Sequence, residues 1–477
     1  MKTLTTDVAI IGAGTAGLTA YRAARRRDAD TLLIEAGPYG TTCAREGCMP
    51  SKLLIAAADA AHHVDTADQF GIRVDERTID GRAVMDRVRR ERDRFVGFVV
   101  DSTESIDEAH RLRGHARFLG PNLLQVGDDL QVEARAIVIA TGSTPWIPPE
   151  LQHLKDRLMT NSEIFEMEDL PESIAVFGPG VIGLELGQAL HRLGVRVTFF
   201  SPFQDLGSAR DPEIQRVARK VFGEELDLQL NVQDIDVQEV SQGFRVRWQT
   251  EDGDHREATF EKALVTAGRR PNLKHLDLEK SGLALDDRGI PIHDTQTTQC
   301  GDSPIFIAGD ASHRHAVLHE AADEGRFAGD NAARFPDVRA NIRRIPLTIT
   351  FTDPQMASVG RPYDEVDFDT HVVGEVSYDN QGRARVMGQN KGLVRIYGCK
   401  GRGCLRGAEL FGPRVEHTAH LLAWAIQCQL TVEQTLRMPF YHPVIEEGIR
   451  TGLRDVSKNL KIQRPLQAGE LRYGPGT

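Results

Sequence analysis

Two stretches of the chain share one pattern of apolar and polar positions. Thr6 to Glu35 reads TDVAIIGAGTAGLTAYRAARRRDADTLLIE, and Glu172 to Ser201, 166 residues later, reads ESIAVFGPGVIGLELGQALHRLGVRVTFFS. Each opens on a short apolar run, turns through glycines, continues with apolar residues at helical spacing and closes on a second apolar run. That order predicts strand, turn, amphipathic helix and strand, a βαβ unit present twice. Gly12, Gly14 and Gly17 match Gly178, Gly180 and Gly183. In such a turn the first glycine permits the bend, the second lets a pyrophosphate approach the backbone, and the third lets helix and strand pack closely. The helix N-terminus then faces the phosphate charge. One G-x-G-x-x-G is a weak signal, whereas two in the same context predict two dinucleotide sites.

The copies differ at one informative position. The first ends on Glu35, whose carboxylate suits a ribose diol. The second has Ser201 there, small and neutral, so the acidic marker for NAD is missing. No Arg or Lys follows directly to mark NADP, and Arg210, the nearest basic residue downstream, reads equally well as a solvated loop residue. The expectation is FAD at the first unit and a nicotinamide cofactor at the second, NAD with NADP left open.

Bulk properties narrow the class. The chain has 477 residues and a formal net charge of −11 with both signs interspersed, which argues against a nucleic-acid partner. No apolar run approaches the ~20 residues a membrane span needs. The strand-like run begins almost at the N-terminus, leaving no room for a signal peptide, so a cytoplasmic location is expected. Six cysteines in a chain this long are no disulfide framework, and a pair at a telling spacing reads as catalytic or metal-binding.

Such a pair is Cys43 and Cys48, within GPYGTTCAREGCMPSKLLIAAADAAHH. Pro50 suits the first turn of a helix that Ser51–Leu54 continue, which puts Cys48 at its N-terminus. The helix dipole and Lys52 favour a thiolate there. Cys43 would then exchange with substrate. The plain alternative is two buried structural cysteines.

TCAREGCMPSK closely resembles the redox-disulfide motif of the class I pyridine nucleotide–disulfide oxidoreductases, and within them that of the dihydrolipoamide dehydrogenases, where Pro-Ser-Lys follows the second cysteine. Thr41 stands where the family usually has Gly. IVIATGSTP (137–145), LVTAGRRPN (264–272), IFIAGDAS (305–312) and FTDPQMASVG (351–360) extend the resemblance over nearly the whole chain. It implies an α/β fold with two Rossmann-like dinucleotide-binding domains, one inserted in the other, plus a C-terminal α+β dimerisation domain. The implied domains are 1–148 (FAD), 149–272 (NAD(P)), 273–342 (return to the FAD domain) and 343–477 (interface). Implied FAD contacts are Gly12, Gly14, Gly17, Glu35, Thr42, Lys52, Thr141, Gly142 and Asp310. Gly178, Gly180, Val181, Gly183, Glu185, Ser201 and Gly268 are implied for NAD(P), with Glu185 pairing Lys52 near the flavin.

Near the C-terminus, MPFYHPVIEEGIR places Glu447 five residues after His442. An imidazole suits proton transfer to and from thiols, and a carboxylate on its other nitrogen fixes the tautomer. The motif alone is weak. The resemblance makes His442 and Glu447 the family's His–Glu dyad, with Glu446 the other candidate partner, and places the His in the other subunit of a homodimer. The implied reaction is dihydrolipoamide plus NAD⁺ to lipoamide plus NADH, through a Cys43–Cys48 disulfide. The lipoyl group would ride on a carrier domain of a 2-oxoacid dehydrogenase complex. The rival readings are reduction of another disulfide, a quinone or a metal ion on the same scaffold, and a non-catalytic flavoprotein assembly subunit. Mercuric reductase is disfavoured because the tail GELRYGPGT lacks its cysteine pair.

Cys399 and Cys404 repeat the spacing of Cys43 and Cys48 across KGRG, which looks like a hairpin turn. Two incidental cysteines flanking a turn are the favoured reading, with a second redox pair the alternative. His313, His315 and His319 read as a polar loop near the flavin rather than a metal site, and no resident metal is expected.

Overall fold

The computed structural model describes residues 2–314 and 316–461. His315 and the tail 462–477 lie outside the described residues. Strand β1 (Lys2–Ile11) turns at Gly12 into helix α1 (Thr15–Arg25) and returns as β2 (Thr31–Glu35), parallel to β1. The short α2 (Thr42–Arg45) and longer α3 (Cys48–Asp65) and α4 (Gly81–Glu104) follow. Strands β3 (Arg111–Arg113), β4 (Ala116–Gly120), β5 (Leu123–Val126) and β6 (Leu130–Ile139) complete a sheet in the order β3-β2-β1-β6-β5-β4. Val8–Ile11 and Ala136–Ile139 are buried, as fully covered parallel strands require.

The crossover β7 (Ser143–Pro145) leads into a second sheet. Its strands are β8 (Leu158–Met159), β9 (Ser173–Phe177), β10 (Arg196–Phe200), β11 (Asp227–Gln229) and, after an antiparallel trio β12 (Gln233–Val240), β13 (Gly243–Gln249) and β14 (His255–Phe260), β15 (Lys262–Val265). The order is β11-β10-β9-β15-β8, with α5 (Val181–Arg192) and α6 (Pro212–Phe222) among its helices. The chain leaves through β16 (Arg269–Pro271), antiparallel to β7. Then β17 (Ile305–Ile307) rejoins the first sheet beside β6, so the second sheet is an insertion in the first. Helix α7 (Leu318–Arg334) packs on α1. The approach is close, because a Cβ on Gly325 or Gly329 would meet the Ala16 or Ala20 carbonyl oxygen at 2.2 or 2.1 Å.

The C-terminal unit is an antiparallel sheet ordered β18 (Leu347–Thr350), β19 (Gln355–Gly360), β22 (Leu405–Gly412), β21 (Leu393–Cys399) and β20 (His371–Ser377). Short α8 (Gly382–Val386) follows β20; α9 (Val415–Gln427), α10 (Val432–Leu436) and α11 (Glu447–Asn459) follow β22. The α/β class with two nested dinucleotide folds and an α+β unit agrees with the expectation. No described helix is long and apolar enough to cross a membrane.

A buried ionic knot fastens the three parts. The Arg192 side chain, 5 % exposed, reaches Glu225 of its own unit at 2.6 Å, Asp353 of the C-terminal unit at 3.1 Å and Asp59 of α3 at 3.8 Å. Paired charges in such a place hold geometry rather than contribute large net stability.

Candidate active site

The two glycine turns are near-superposable. Gly12 and Gly178 have φ of +105° and +106°, a region open to glycine at little cost. A Cβ on Gly17 or Gly183 would sit 1.8 or 2.0 Å from the carbonyl oxygen of Gly12 or Gly178. Beside Gly14 and Gly180 there is nothing within 4 Å of an added Cβ. These second glycines open the helix N-termini to space that an anion can enter. Glu35 is already aimed: its carboxylate accepts from the N–H of Ala13 and of Gly37, both at 2.7 Å. Thr141 Oγ1 is buried without a hydrogen-bond partner, which marks a place for an absent ligand atom. The residues present fit a dinucleotide at each turn.

Between the turns lies a cavity of about 500 Å³. Gly14, Thr42, Cys43, Cys48, Lys52, Gly142, Val181, Glu185, Asp310 and His319 reach it. Asp310 is oriented by a relay in which Arg269 Nε donates to Ser143 Oγ and Ser143 Oγ to Asp310 Oδ2, each 2.8 Å. Lys52 Nζ donates to Glu185 at 2.7 Å and lies 4.4 Å from the Phe351 ring centre, while the other Glu185 oxygen accepts the Phe351 N–H at 2.8 Å. Thr41, just before the cysteine segment, has φ +57° and ψ 148°. That backbone explains the family's usual glycine, and Thr41 Oγ1 compensates by accepting the Ala44 N–H.

The cysteines are asymmetric. Both are free thiols, and Cys48 begins α3. The hydrogen bond from Cys43 brings Cys48 down to about 7; burial opposes this, and the Lys52 cation and the helix N-terminal N–H assist. Cys43, the donor, is pushed up by that same hydrogen bond and by burial. Cys43 also opens onto a groove of about 430 Å³ lined by Leu18, Met49, Phe95, Phe98, Val99 and Leu318, with Arg22 at its edge.

Other expected residues lie apart. Ser201, 4 % exposed, directly follows β10 and uses its hydroxyl to accept the Phe203 N–H. Arg210 is paired with Asp364 at 2.6 Å, so its charge is already committed to the interface unit. Gly268 lines a neighbouring cavity with Trp146, Arg270 and His313; His313 and His319 thus face different cavities. His442 Nδ1 meets Glu447 at 3.0 Å, selecting Glu447 over Glu446. That imidazole is 81 % exposed and is not among the groups lining the cysteine cavity or groove of its own chain.

Sequence reasoning missed the Ser143–Arg269 relay, the Phe351 contact and the α4 groove. Only the last left a local signal: Phe95, Phe98 and Val99 form an apolar stripe on α4, with Phe98 60 % exposed.

Residues 6–325 match the model of the pyridine nucleotide-disulphide oxidoreductases, and residues 346–452 match the dimerisation domain of that family. A dihydrolipoyl dehydrogenase of Haloferax volcanii is 31 % identical, covering 93 % of this chain and 94 % of its own. A mercuric reductase of Streptomyces lividans is also 31 % identical, covering 92 % and 93 %. Among solved structures, LpdA of Mycobacterium tuberculosis matches with a TM-score of 0.81 at 24 % identity, covering 94 % of this chain and 99 % of its own. The HOCl-induced flavoprotein disulfide reductase RclA of Escherichia coli matches at 0.79 and 19 %, covering 97 % and 100 %. These two likenesses bear on fold.

Proposed function

The chain belongs to the pyridine nucleotide–disulphide oxidoreductases, with FAD and NAD(H) as cofactors, and on that premise we propose that it oxidises dihydrolipoamide, or reduces lipoamide, through Cys43 and Cys48. Gly12, Gly14, Gly17, Glu35, Thr42, Lys52, Thr141, Gly142 and Asp310 would hold FAD. Gly178, Gly180, Val181, Gly183, Glu185, Ser201 and Gly268 would hold NAD(H). When bound, FAD supplies a two-electron carrier between the dithiol and the nicotinamide.

The chain's own groups account for the thiol chemistry. A substrate thiolate attacks Cys43 of the oxidised pair. The Cys43–Cys48 bond breaks, and its electron pair leaves on Cys48. With Cys43 in the mixed disulfide its S–H no longer serves Cys48, but the Lys52 cation and the helix N-terminal N–H still favour the departing thiolate. The second substrate thiol then displaces Cys43, completing the substrate disulfide. His442 takes the protons that these attacks release, with Glu447 fixing its tautomer. Because His442 is exposed and lines neither the cavity nor the groove at its own cysteines, the acting imidazole belongs to the other subunit of the homodimer that the dimerisation domain supports.

The observation that carries this reading is the pairing of a low Cys48 with a Cys43 that opens onto an apolar groove. A lipoyl group, an aliphatic cyclic disulfide, suits that lining. Arg22, hydrogen-bonded to Ser102 at 3.1 Å on the same groove, favours one second reading, reduction of an anionic low-molecular-weight disulfide. Steady-state turnover of NADH or NADPH against lipoamide, oxidised glutathione and a quinone separates them. Lipoamide turnover that reverses with dihydrolipoamide and NAD⁺ supports the first reading; negligible lipoamide turnover beside rapid turnover of another acceptor refutes it.

A further inference from the structure

We propose that Cys399 and Cys404 form a second thiol–disulfide exchange site, separate from Cys43 and Cys48, that closes to an intramolecular disulfide on meeting a low-molecular-weight disulfide. Strand β21 ends on Cys399, β22 begins just after Cys404, and residues 400–403 turn between them. The Cys399 N–H donates to the Cys404 carbonyl at 2.9 Å, and the Gly403 N–H to the Cys399 carbonyl at 3.0 Å. Cys399 therefore faces Cys404 across the bulge that closes the turn, one step beyond the last ladder pair, Gly398 with Leu405. Residues that face each other across antiparallel strands have Cα atoms about 4.5–5.5 Å apart, inside the roughly 4.4–6.8 Å that a disulfide bridges.

The turn is held from both sides. The Lys400 N–H donates to the Thr370 carbonyl at 2.8 Å, and the Val432 N–H to the Gly403 carbonyl at 2.8 Å. The pair stays in register instead of fraying with an exposed loop.

The two thiols differ as an attacking and a resolving group do. Cys399 is part-exposed, while Cys404 is 2 % exposed. Burial alone would raise Cys399, but the N–H groups of Arg402 and Cys404 and the Arg406 guanidinium outweigh it and hold the thiol below its ordinary value. A cysteine present only for packing behaves as Cys300 does, pushed up to about 12 by burial.

The exchange balances. The Cys399 thiolate attacks RS–SR, that S–S bond breaks, and RS⁻ leaves. The Cys404 thiol gives its proton to water, attacks the Cys399 sulfur and expels the second RS⁻, one of the two leaving thiolates taking up the proton. The cysteines lose two electrons, and RSSR gains them as one thiol and one thiolate.

The test uses the full-length, FAD-loaded enzyme, equilibrated with oxidised glutathione, blocked with N-ethylmaleimide and mapped by mass spectrometry after trypsin. Cleavage after Lys400 and Arg402 separates the cysteines unless a disulfide joins their peptides. The expected result is loss of both thiols and recovery of the joined peptides. Cys404→Ser should stop at a glutathione adduct on Cys399, and Cys399→Ser should leave Cys404 unmodified by glutathione. Recovery of both wild-type cysteines as maleimide adducts, or of glutathione on wild-type Cys399 with Cys404 still free, overturns the proposal.

Discussion

Lys52 and Glu185 meet at 2.7 Å, although they are 133 residues apart and stand on helices of different dinucleotide-binding units. Glu185, 5 % exposed, also accepts the backbone N–H of Phe351 from the interface unit. One turn further along α5, Gln188 donates to the Asp353 carbonyl at 2.8 Å, and Arg192 continues the same stripe. A single face of α5 therefore clamps the cysteine-bearing α3 and the loop 351–353, and fixes Lys52 beside Cys48.

From this comes a prediction for Lys52→Met. The cation assists in lowering Cys48 to about 7, so the thiolate predominates above that pH and fades below it. Without the cation, the midpoint of Cys48 alkylation by iodoacetamide in the reduced enzyme should rise by about one pH unit, the scale of a neighbouring opposite charge. An unmoved midpoint would remove Lys52 from the account.

The glycine turns make a paired prediction. Gly14 has an extended backbone, φ −75°, and open space beside it, so Gly14→Ala should fold but lose most of its FAD. Gly17→Ala must displace backbone, because its Cβ would lie 1.8 Å from the Gly12 oxygen, and should lower thermal stability as well. Flavin content and melting temperature read the two effects separately. Full flavin content in Gly14→Ala would mean that the turn does not cradle the pyrophosphate.

His442→Ala should reduce disulfide turnover by roughly 10²–10⁴-fold, the usual worth of a general base. Glu447→Gln, which keeps the shape of the contact but not its charge, should reduce it less. Heterodimers of Cys48→Ser and His442→Ala chains add a sharper readout. One composite site then retains both groups, so activity near half of wild type is expected, against none if each site is built from a single chain.

Ser201 leaves the ribose of the nicotinamide dinucleotide without a carboxylate, and Arg210 is tied to Asp364. Ser201→Glu should raise the NADPH-to-NADH ratio of KM by about tenfold, equal to about 1.4 kcal/mol. An unchanged ratio would place the ribose elsewhere.

Much of this was legible in the sequence, for physical reasons. Gly12 and Gly178 report backbone geometry directly, since their positive φ and the close approaches at Gly17 and Gly183 admit little else. Cys48 was readable as a helix-start thiol because Pro50 and the apolar run after it are local signals. The Lys52–Glu185 pair was reachable only through the family resemblance, because nothing in either segment names the other. The Ser143–Arg269–Asp310 relay, with members 126 and 167 residues from Ser143, exists only once β7 and β16 pair. Cys399 and Cys404 were read correctly as flanking a turn, but the N–H groups aimed at Cys399 depend on how residues 400–403 bend.

The central claim is that electrons pass through Cys43 and Cys48. The most direct measurement is steady-state NADH–lipoamide turnover of the purified homodimer beside that of Cys48→Ser, with flavin content determined for both. The account predicts sustained turnover by the wild type and none by the variant at equal flavin content. Lipoamide turnover surviving in Cys48→Ser would contradict it.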